Sequence, residues 1–156
     1  MFSKRAGFTL VELVVVVLLL GILSVVAIPR LSGFGDFDLY GTRDALVAEL
    51  RHAQILGLNN PDRCYRVNVQ SGSYRIQQFD ARSGRICSGA MNWQDEASVL
   101  PSGTAVKYGG SSTFNVDFSP LGQTNLTCNL LSDCITVVGN QTLPVMVESE
   151  GYIYAL

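Results

Sequence analysis

Glu12 is the residue of this sequence whose chemistry most needs an explanation. It is the one charged side chain in the 21 residues from Phe8 to Ile28, a stretch rich in valine and leucine. As a helix this stretch would be about 31 Å long, close to the ~30 Å apolar core of a bilayer. An acid in such a helix is costly unless it is paired. Glu12 therefore predicts a functional contact with a positive group.

Three interpretations fit the first 30 residues. In the first, Lys4 and Arg5 are the basic part of a secretory signal that is cleaved after Val25-Val26-Ala27. In the second, the apolar run is an uncleaved anchor that keeps these two basic residues in the cytoplasm. Neither explains an acid at position 12. The third interpretation is a resemblance to a known family, which residues Gly7 to Leu13 carry and which does account for the acid.

Gly7-Phe8-Thr9-Leu10-Val11-Glu12-Leu13, followed by the apolar run, resembles the processing site of type IV prepilins and type II secretion pseudopilins. The resemblance implies that a prepilin peptidase cuts between Gly7 and Phe8 and that the new Phe8 terminus is N-methylated. It also implies that Glu12 meets the terminal amine of a neighbouring pilin subunit during assembly. The precursor would cross the inner membrane once, with its leader cytoplasmic and its head periplasmic. It would contact an inner-membrane assembly platform before entering a pilus or pseudopilus.

The whole chain is expected to be α+β, with a long N-terminal helix that continues into a helix packed on a small antiparallel sheet. We divide it into a leader (1–7), a transmembrane and assembly helix (8–32), a second, amphipathic part of the helix (33–58) and a β head (59–156). Pro29 lacks a backbone donor and clashes with the preceding turn, so it predicts a kink. Asp36 or Asp38 could cap the second part. Its core-facing residues would be Leu39, Leu46, Leu50, Ala53 and Leu56.

The head contains short runs of β-branched and aromatic residues separated by turn residues, which predicts antiparallel strands. Ser71-Gly72-Ser73 and Gly139-Asn140 are the predicted turns. The predicted strands are Tyr65–Gln70, Tyr74–Phe79, Val99–Leu100, Val106–Tyr108, Thr113–Phe118, Ile135–Val138, Leu143–Glu148 and Tyr152–Leu156.

Phe118-Ser119-Pro120-Leu121-Gly122 resembles the F-x-P-x-G signature of H-type pseudopilins and related minor pilins. Any β protein can end a strand in such a Pro-Gly turn. Together with Arg43 and Arg51 on the second helix, the signature favours a minor, or initiating, pilin over a major one. A minor prepilin of mannose-sensitive haemagglutinin pili is one system that this resemblance suggests.

All four cysteines follow the apolar helix, as expected for disulfides in an exported domain. Three pairings are possible, and the nearest-neighbour pairing would be Cys64–Cys87 and Cys128–Cys134. We expect no metal site, because there is no C-x-x-C motif and the chain has one histidine.

Enzyme chemistry finds little support, and no cofactor is expected. A nucleophile would have to use His52, and the sequence contains no nucleophile elbow, phosphate-binding loop or zinc-protease motif. Asp95-Glu96 and Glu148-x-Glu150 are close acid pairs, but neighbouring acids in a turn are usually solvated.

Five arginines in the first part of the head raise the alternative of a pilus-tip module for DNA or another surface ligand. On a hairpin they could form a basic stripe able to meet phosphates. Removal of Lys4 and Arg5 would lower the formal charge from −2 to −4, which is unlike a dedicated nucleic-acid binder. The arginines are Arg63, Arg66, Arg75, Arg82 and Arg85.

Overall fold

The computed structural model describes residues 9–31, 34–128 and 134–156, and the chain forms two compact units, residues 1–34 and 35–156. Gly7 and Phe8, the predicted processing site, lie outside the described residues. In the first unit, helix α1 runs from Leu10 to Leu31. It passes through Pro29, and the next helix begins at Phe34. The kink at Pro29 stays a prediction.

Helix α2, Phe34–Asn59, supplies one side of the core of the second unit. Leu39, Leu46, Leu50 and Ala53 recur at helical spacing on one face, and each is at most 1 % exposed. Leu56 is partly buried against the same core. The five residues predicted to face the core therefore do so.

Two antiparallel sheets complete the second unit, which confirms the expected α+β class. The first has the strand order β3-β2-β1-β6, with β4 also paired to β2, and the second has the order β5-β7-β8-β9. Their inner faces and α2 enclose one core, whose largest fully buried side chain is Phe118. The strands are β1 Cys64–Gln70, β2 Ser73–Ser83, β3 Ile86–Gln94, β4 Ser98–Val99, β5 Ala105–Tyr108, β6 Phe114–Phe118, β7 Ile135–Val138, β8 Thr142–Val147 and β9 Ile153–Ala155.

Strand β3 is the main element that the sequence pattern does not predict. Its sequence contains Gly89 and little alternation of apolar and polar residues, and of its nine residues only Cys87 is buried. Pairing with β2 forms it, with register shifts on either side of Phe79. At this irregular point the Ala90 amide donates a hydrogen bond to Asp80 Oδ1 at 2.8 Å. Partner strand and side-chain contact, rather than local propensity, therefore define this strand.

Candidate functional site

Glu12 lies in the first turn of α1, where the helix begins at a threonine cap. Its backbone amide donates to Thr9 Oγ1 at 3.3 Å, and the Leu13 amide donates to the Thr9 carbonyl at 3.2 Å. Thr9-x-x-Glu12 has the spacing of a capping box, in which an acid three residues after the cap also favours the positive helix end. Capping is a second reason for an acid at position 12, and the T-x-x-E spacing that signals it is visible in the sequence.

The described side chains of α1 from Thr9 to Leu23 are exposed on every face of the helix. They include valines and leucines between 46 % and 80 % exposed, such as Leu10 and Val14. Polar side chains normally cover the outer face of a helix in a globular protein. An apolar surface of this extent marks a site of contact with a protein or a membrane.

The F-x-P-x-G segment forms a turn that closes β6. Phe118 is fully buried, the Ser119 amide donates to the Gln123 carbonyl, and the Gly122 amide donates to the Ser119 carbonyl, both at 2.9 Å. Ser119 Oγ also accepts hydrogen bonds from the amides of Leu121 and Gln123. The segment is therefore a self-contained turn, anchored by its phenylalanine in the core.

Gln54 of α2 joins this turn to a second glycine turn before β9. Its Nε2 donates to the carbonyl oxygens of Gly122 and Gly151, each at 2.8 Å. Gly151 has a φ of 97°, and a Cβ at this position would overlap the Gly122 oxygen. Only glycine fits there. No motif in the sequence identifies Gln54 as a contact of the F-x-P-x-G segment.

Arg43 and Arg51, the two arginines noted on α2, bind the backbone near and within β9. Arg51 donates to the Ile153 carbonyl from Nε at 3.2 Å and from Nη2 at 2.7 Å, and Arg43 Nη1 donates to the Leu156 carbonyl at 2.8 Å. Together with Gln54, which binds the Gly151 carbonyl, they cover carbonyl groups before, within and after this edge strand. Unpaired backbone N–H and C=O groups at a sheet edge can pair with a strand of another molecule. Side chains that bind these groups therefore protect the edge from such pairing.

The five arginines proposed as a basic stripe have different environments. Arg66 is bound to Asp117, Arg82 Nη2 donates to the carbonyls of Pro61 and Arg63, and Arg85 Nη1 donates to the Thr124 carbonyl. Arg63 is exposed, and Arg75 is half-buried on β2. Arg66 is therefore neutralised, which removes it from any anion-binding surface.

Arg66 and Asp117 form a buried ion pair that joins three strands. Arg66 Nε and Nη2 donate to the two carboxylate oxygens at 2.6 and 2.8 Å, and Asp117 is 1 % exposed. The Cys87 amide donates to Asp117 Oδ2 at 2.9 Å, and Arg66 Nη2 donates to the Cys87 carbonyl at 3.0 Å. The Phe79 ring lies 4.8 Å from the guanidinium. Charge and hydrogen-bonding capacity are thus matched inside the sheet.

The cysteines agree only in part with the nearest-neighbour pairing. Cys64 and Cys87 form a disulfide between β1 and β3, next to the ion pair. Cys128 is a buried free thiol, and its sulfur accepts a hydrogen bond from the Val147 amide at 3.4 Å. The predicted Cys128–Cys134 disulfide is therefore not formed in the structure. Cys134 instead has its sulfur 3.3 Å from the Met146 sulfur. Each sulfur thus contacts β8, through Val147 for Cys128 and Met146 for Cys134.

The residues considered for enzyme chemistry are spread over the second unit. His52 is exposed on α2, Asp95 Oδ1 accepts the Glu96 amide, and Glu148 accepts the Tyr154 hydroxyl at 3.1 Å. Glu150 accepts Gln123 Nε2 at 3.0 Å. Within the described ranges, no group of three or more potential metal ligands occurs.

Glu49 on α2 is a half-buried acid in the second unit. Burial raises its pKa above the ordinary value of 4.5; the Asp95 carboxylate raises it further, whereas His52 acts in the opposite direction. The raised pKa means that the folded state binds this proton more tightly than the unfolded state. Protonated Glu49 therefore stabilises the folded state relative to the unfolded state. This contribution to the free energy of unfolding is complete below pH 4.5 and is lost as the pH rises through the pKa of Glu49 in the folded state.

We therefore expect Glu49→Gln to raise the melting temperature relative to the unmodified protein at pH 7, by roughly 1–3 °C, and to lose this advantage at pH 4. Thermal unfolding of the full chain at both pH values measures the difference. Glu96→Gln, which removes an exposed charge, is the control. An equal gain at pH 4 and pH 7 would contradict the effect of burial.

The N-terminal segment gives the clearest comparison with known proteins. Residues 2–28 match the family model described as the prokaryotic N-terminal methylation motif. This match supports a type IV prepilin-like family for the N-terminal segment. No match was found among curated proteins or solved structures. The assignment thus rests on the segment that carries Gly7, Phe8 and Glu12.

None of the helices in the described ranges is both long and apolar enough to qualify as a membrane span.

Proposed function

We propose that this chain is a minor type IV pilin or pseudopilin, a structural subunit rather than an enzyme. The observation that carries the proposal is the match over residues 2–28, which covers the expected cleavage point and Glu12. The exposed apolar surface of α1 supports it, because such a surface needs neighbouring subunits or lipid around it. The proposal covers a pilus, such as the mannose-sensitive haemagglutinin pilus, and a type II secretion pseudopilus.

In the proposed sequence of events, the precursor is held in the inner membrane by residues 8–32, with its head in the periplasm. Prepilin peptidase cleaves after Gly7, and Phe8 becomes the methylated terminus. The new ammonium group then pairs with Glu12 of an adjacent subunit, on the platform that assembles the filament. An acid that is unpaired in an apolar bundle is costly and a paired one is tolerated, so this pair favours one axial register of the subunits.

The mass of the N-terminal peptide tests this proposal directly. We expect protein recovered from cells that contain a prepilin peptidase to begin at methylated Phe8. Gly7→Val is the matched control, and it should leave the leader attached. A chain that begins at Ile28 would support a secretory signal, and an unprocessed Met1 start beside an active peptidase would support a plain anchor. Either result would overturn the proposal.

A DNA-binding tip module is the alternative function. The contacts of Arg66, Arg82 and Arg85 within the chain do not favour it, because their guanidinium groups already have partners. The turn of the F-x-P-x-G segment, whose sequence resembles that of minor pilins, is anchored to α2 by Gln54 and is not a separate binding loop. We therefore place the structural role first.

A further inference from the structure

A cavity of about 310 Å³ opens between the N-terminal half of α2 and strands β2 and β4. This volume is at the lower end of the range for small-molecule sites. A Cβ added at Gly41 would meet no atom within 4 Å, so the helix side of the cavity is open. Most of the wall is apolar or small and consists of Gly41, Ala45, Val99, Leu100 and Pro101.

The polar side chains of the lining are bound within the chain, with one exception. The Thr42 hydroxyl donates to the Asp38 backbone carbonyl at 2.7 Å. The Tyr74 hydroxyl is hydrogen-bonded to the Ser98 side chain, and burial raises the pKa of Tyr74, so this hydroxyl stays neutral. The exception is the carboxylate of Asp38, which is exposed and, within the described ranges, has no hydrogen bond or ion pair. A guest therefore meets one negative charge beside an apolar wall.

This combination selects a cation that needs no hydrogen bonds. A primary ammonium group carries N–H donors, and removing them from water without acceptors is costly. A quaternary ammonium group carries methyl groups instead, so it can lie on Val99 and Leu100 while its charge stays close to Asp38. Aromatic rings also attract such cations, and Tyr74 is part of the wall.

We propose that this cavity binds a small quaternary ammonium group of the choline type. The trimethylammonium end lies against the apolar wall, where Asp38 balances its positive charge, and the rest of the molecule points to solvent. A free choline-like solute and the phosphocholine head group of a lipid share this chemistry. The inference concerns residues 38–101 and does not depend on cleavage after Gly7 or on assembly into a filament.

Isothermal titration calorimetry of the full chain, in a maltoside detergent that carries no ammonium group, tests this site. We expect choline to bind at least about fivefold more tightly than ethanolamine, its primary ammonium counterpart. Asp38→Asn should weaken choline binding at least about fivefold, because it removes the charge and keeps the shape. Asp44→Asn removes an exposed carboxylate of α2 that does not line the cavity, so it should leave binding unchanged. Glycerophosphocholine separates the sources: binding equal to that of choline assigns the site to a lipid head group, and weaker binding assigns it to a free solute.

A second variant fills the cavity and leaves Asp38 in place. Gly41→Leu puts a side chain into open space, and leucine is a better helix former than glycine, so the melting temperature should not fall. Choline binding should nevertheless weaken at least about fivefold. Ala48→Leu adds bulk at an exposed position of α2 outside the cavity and should bind choline normally.

Three results would overturn the proposal. They are an unmodified chain that does not bind choline, ethanolamine that binds as tightly as choline, and choline binding that is unchanged in Asp38→Asn or Gly41→Leu. All of these readouts are independent of the N-terminal mass, so this inference and the proposed function can fail separately.

Discussion

Glu12→Gln should abolish incorporation into filaments as thoroughly as Glu12→Ala does. Glutamine can take the acid's place in a capping box, so it preserves the start of α1 that Thr9 provides. It has no charge and cannot pair with a terminal ammonium group. We expect both variants to be processed after Gly7, yet to fall at least about tenfold in the filament fraction, since an unpaired ammonium group is left in an apolar bundle.

The measurement is the ratio of subunit in sheared filaments to subunit in membranes, with the N-terminal mass confirming cleavage. Glu12→Asp keeps the charge and should retain part of the assembly. Thr9→Val removes the cap and keeps the acid, so it should assemble. If Glu12→Gln assembled normally while Glu12→Ala failed, capping would account for the acid and the charge-pair mechanism would be wrong.

Asp117→Ala should destabilise the head by about 3–5 kcal/mol, as expected when one partner of a buried ion pair is removed. It leaves the Arg66 guanidinium and the Cys87 amide without the carboxylate that both of them bind. Adding Arg66→Met to this variant should recover part of the loss, because no charge then remains unpaired. Chemical denaturation of the full chain with the Cys64–Cys87 disulfide intact measures the change.

Asp80→Ala is the matched control for this experiment. Asp80 also accepts an amide of β3, that of Ala90 at 2.8 Å, but it is exposed and has no bidentate arginine partner. Its removal should cost about 1 kcal/mol or less. If Asp117→Ala cost no more than Asp80→Ala, burial of the ion pair would contribute nothing to stability.

The sequence predicts those parts of the fold that local pattern determines. The face of α2 that carries Leu39, Leu46 and Leu50 follows from helical spacing, and strands such as Ile135–Val138 follow from runs of β-branched residues. Strand β3 does not follow, because its pairing with β2 and the contact of Ala90 with Asp80 define it. The division of the strands into two sheets rather than one also depends on long-range pairing.

The residues of the candidate site also divide into those that a local sequence pattern predicts and those that depend on long-range contacts. Gly7, Phe8 and Glu12 are visible in the sequence because the methylation motif matched by residues 2–28 and the T-x-x-E start of a helix are both short, local patterns. The sequence gives a weaker signal for Asp117, which is an acid within the strand Phe-Asn-Val-Asp-Phe. Alternation along this strand predicts that Asp117 lies on the sheet face opposite Val116, but it does not identify the partner of Asp117. Gln54 has no signal at all. Its two acceptors are 68 and 97 residues away, and sequence spacing says nothing about contacts at that range.

The α2 side chains that hold β9 also affect when the head can become native. Arg51 and Arg43 find their acceptors 102 and 113 residues later in the sequence. While the chain is being made, α2 is therefore present long before the carbonyls that its two arginines bind. Contacts this distant in sequence slow folding, because much chain entropy is lost before they form. A chain that stops before residue 151 would present these donors without their acceptors, which would leave this side of the head open to proteases.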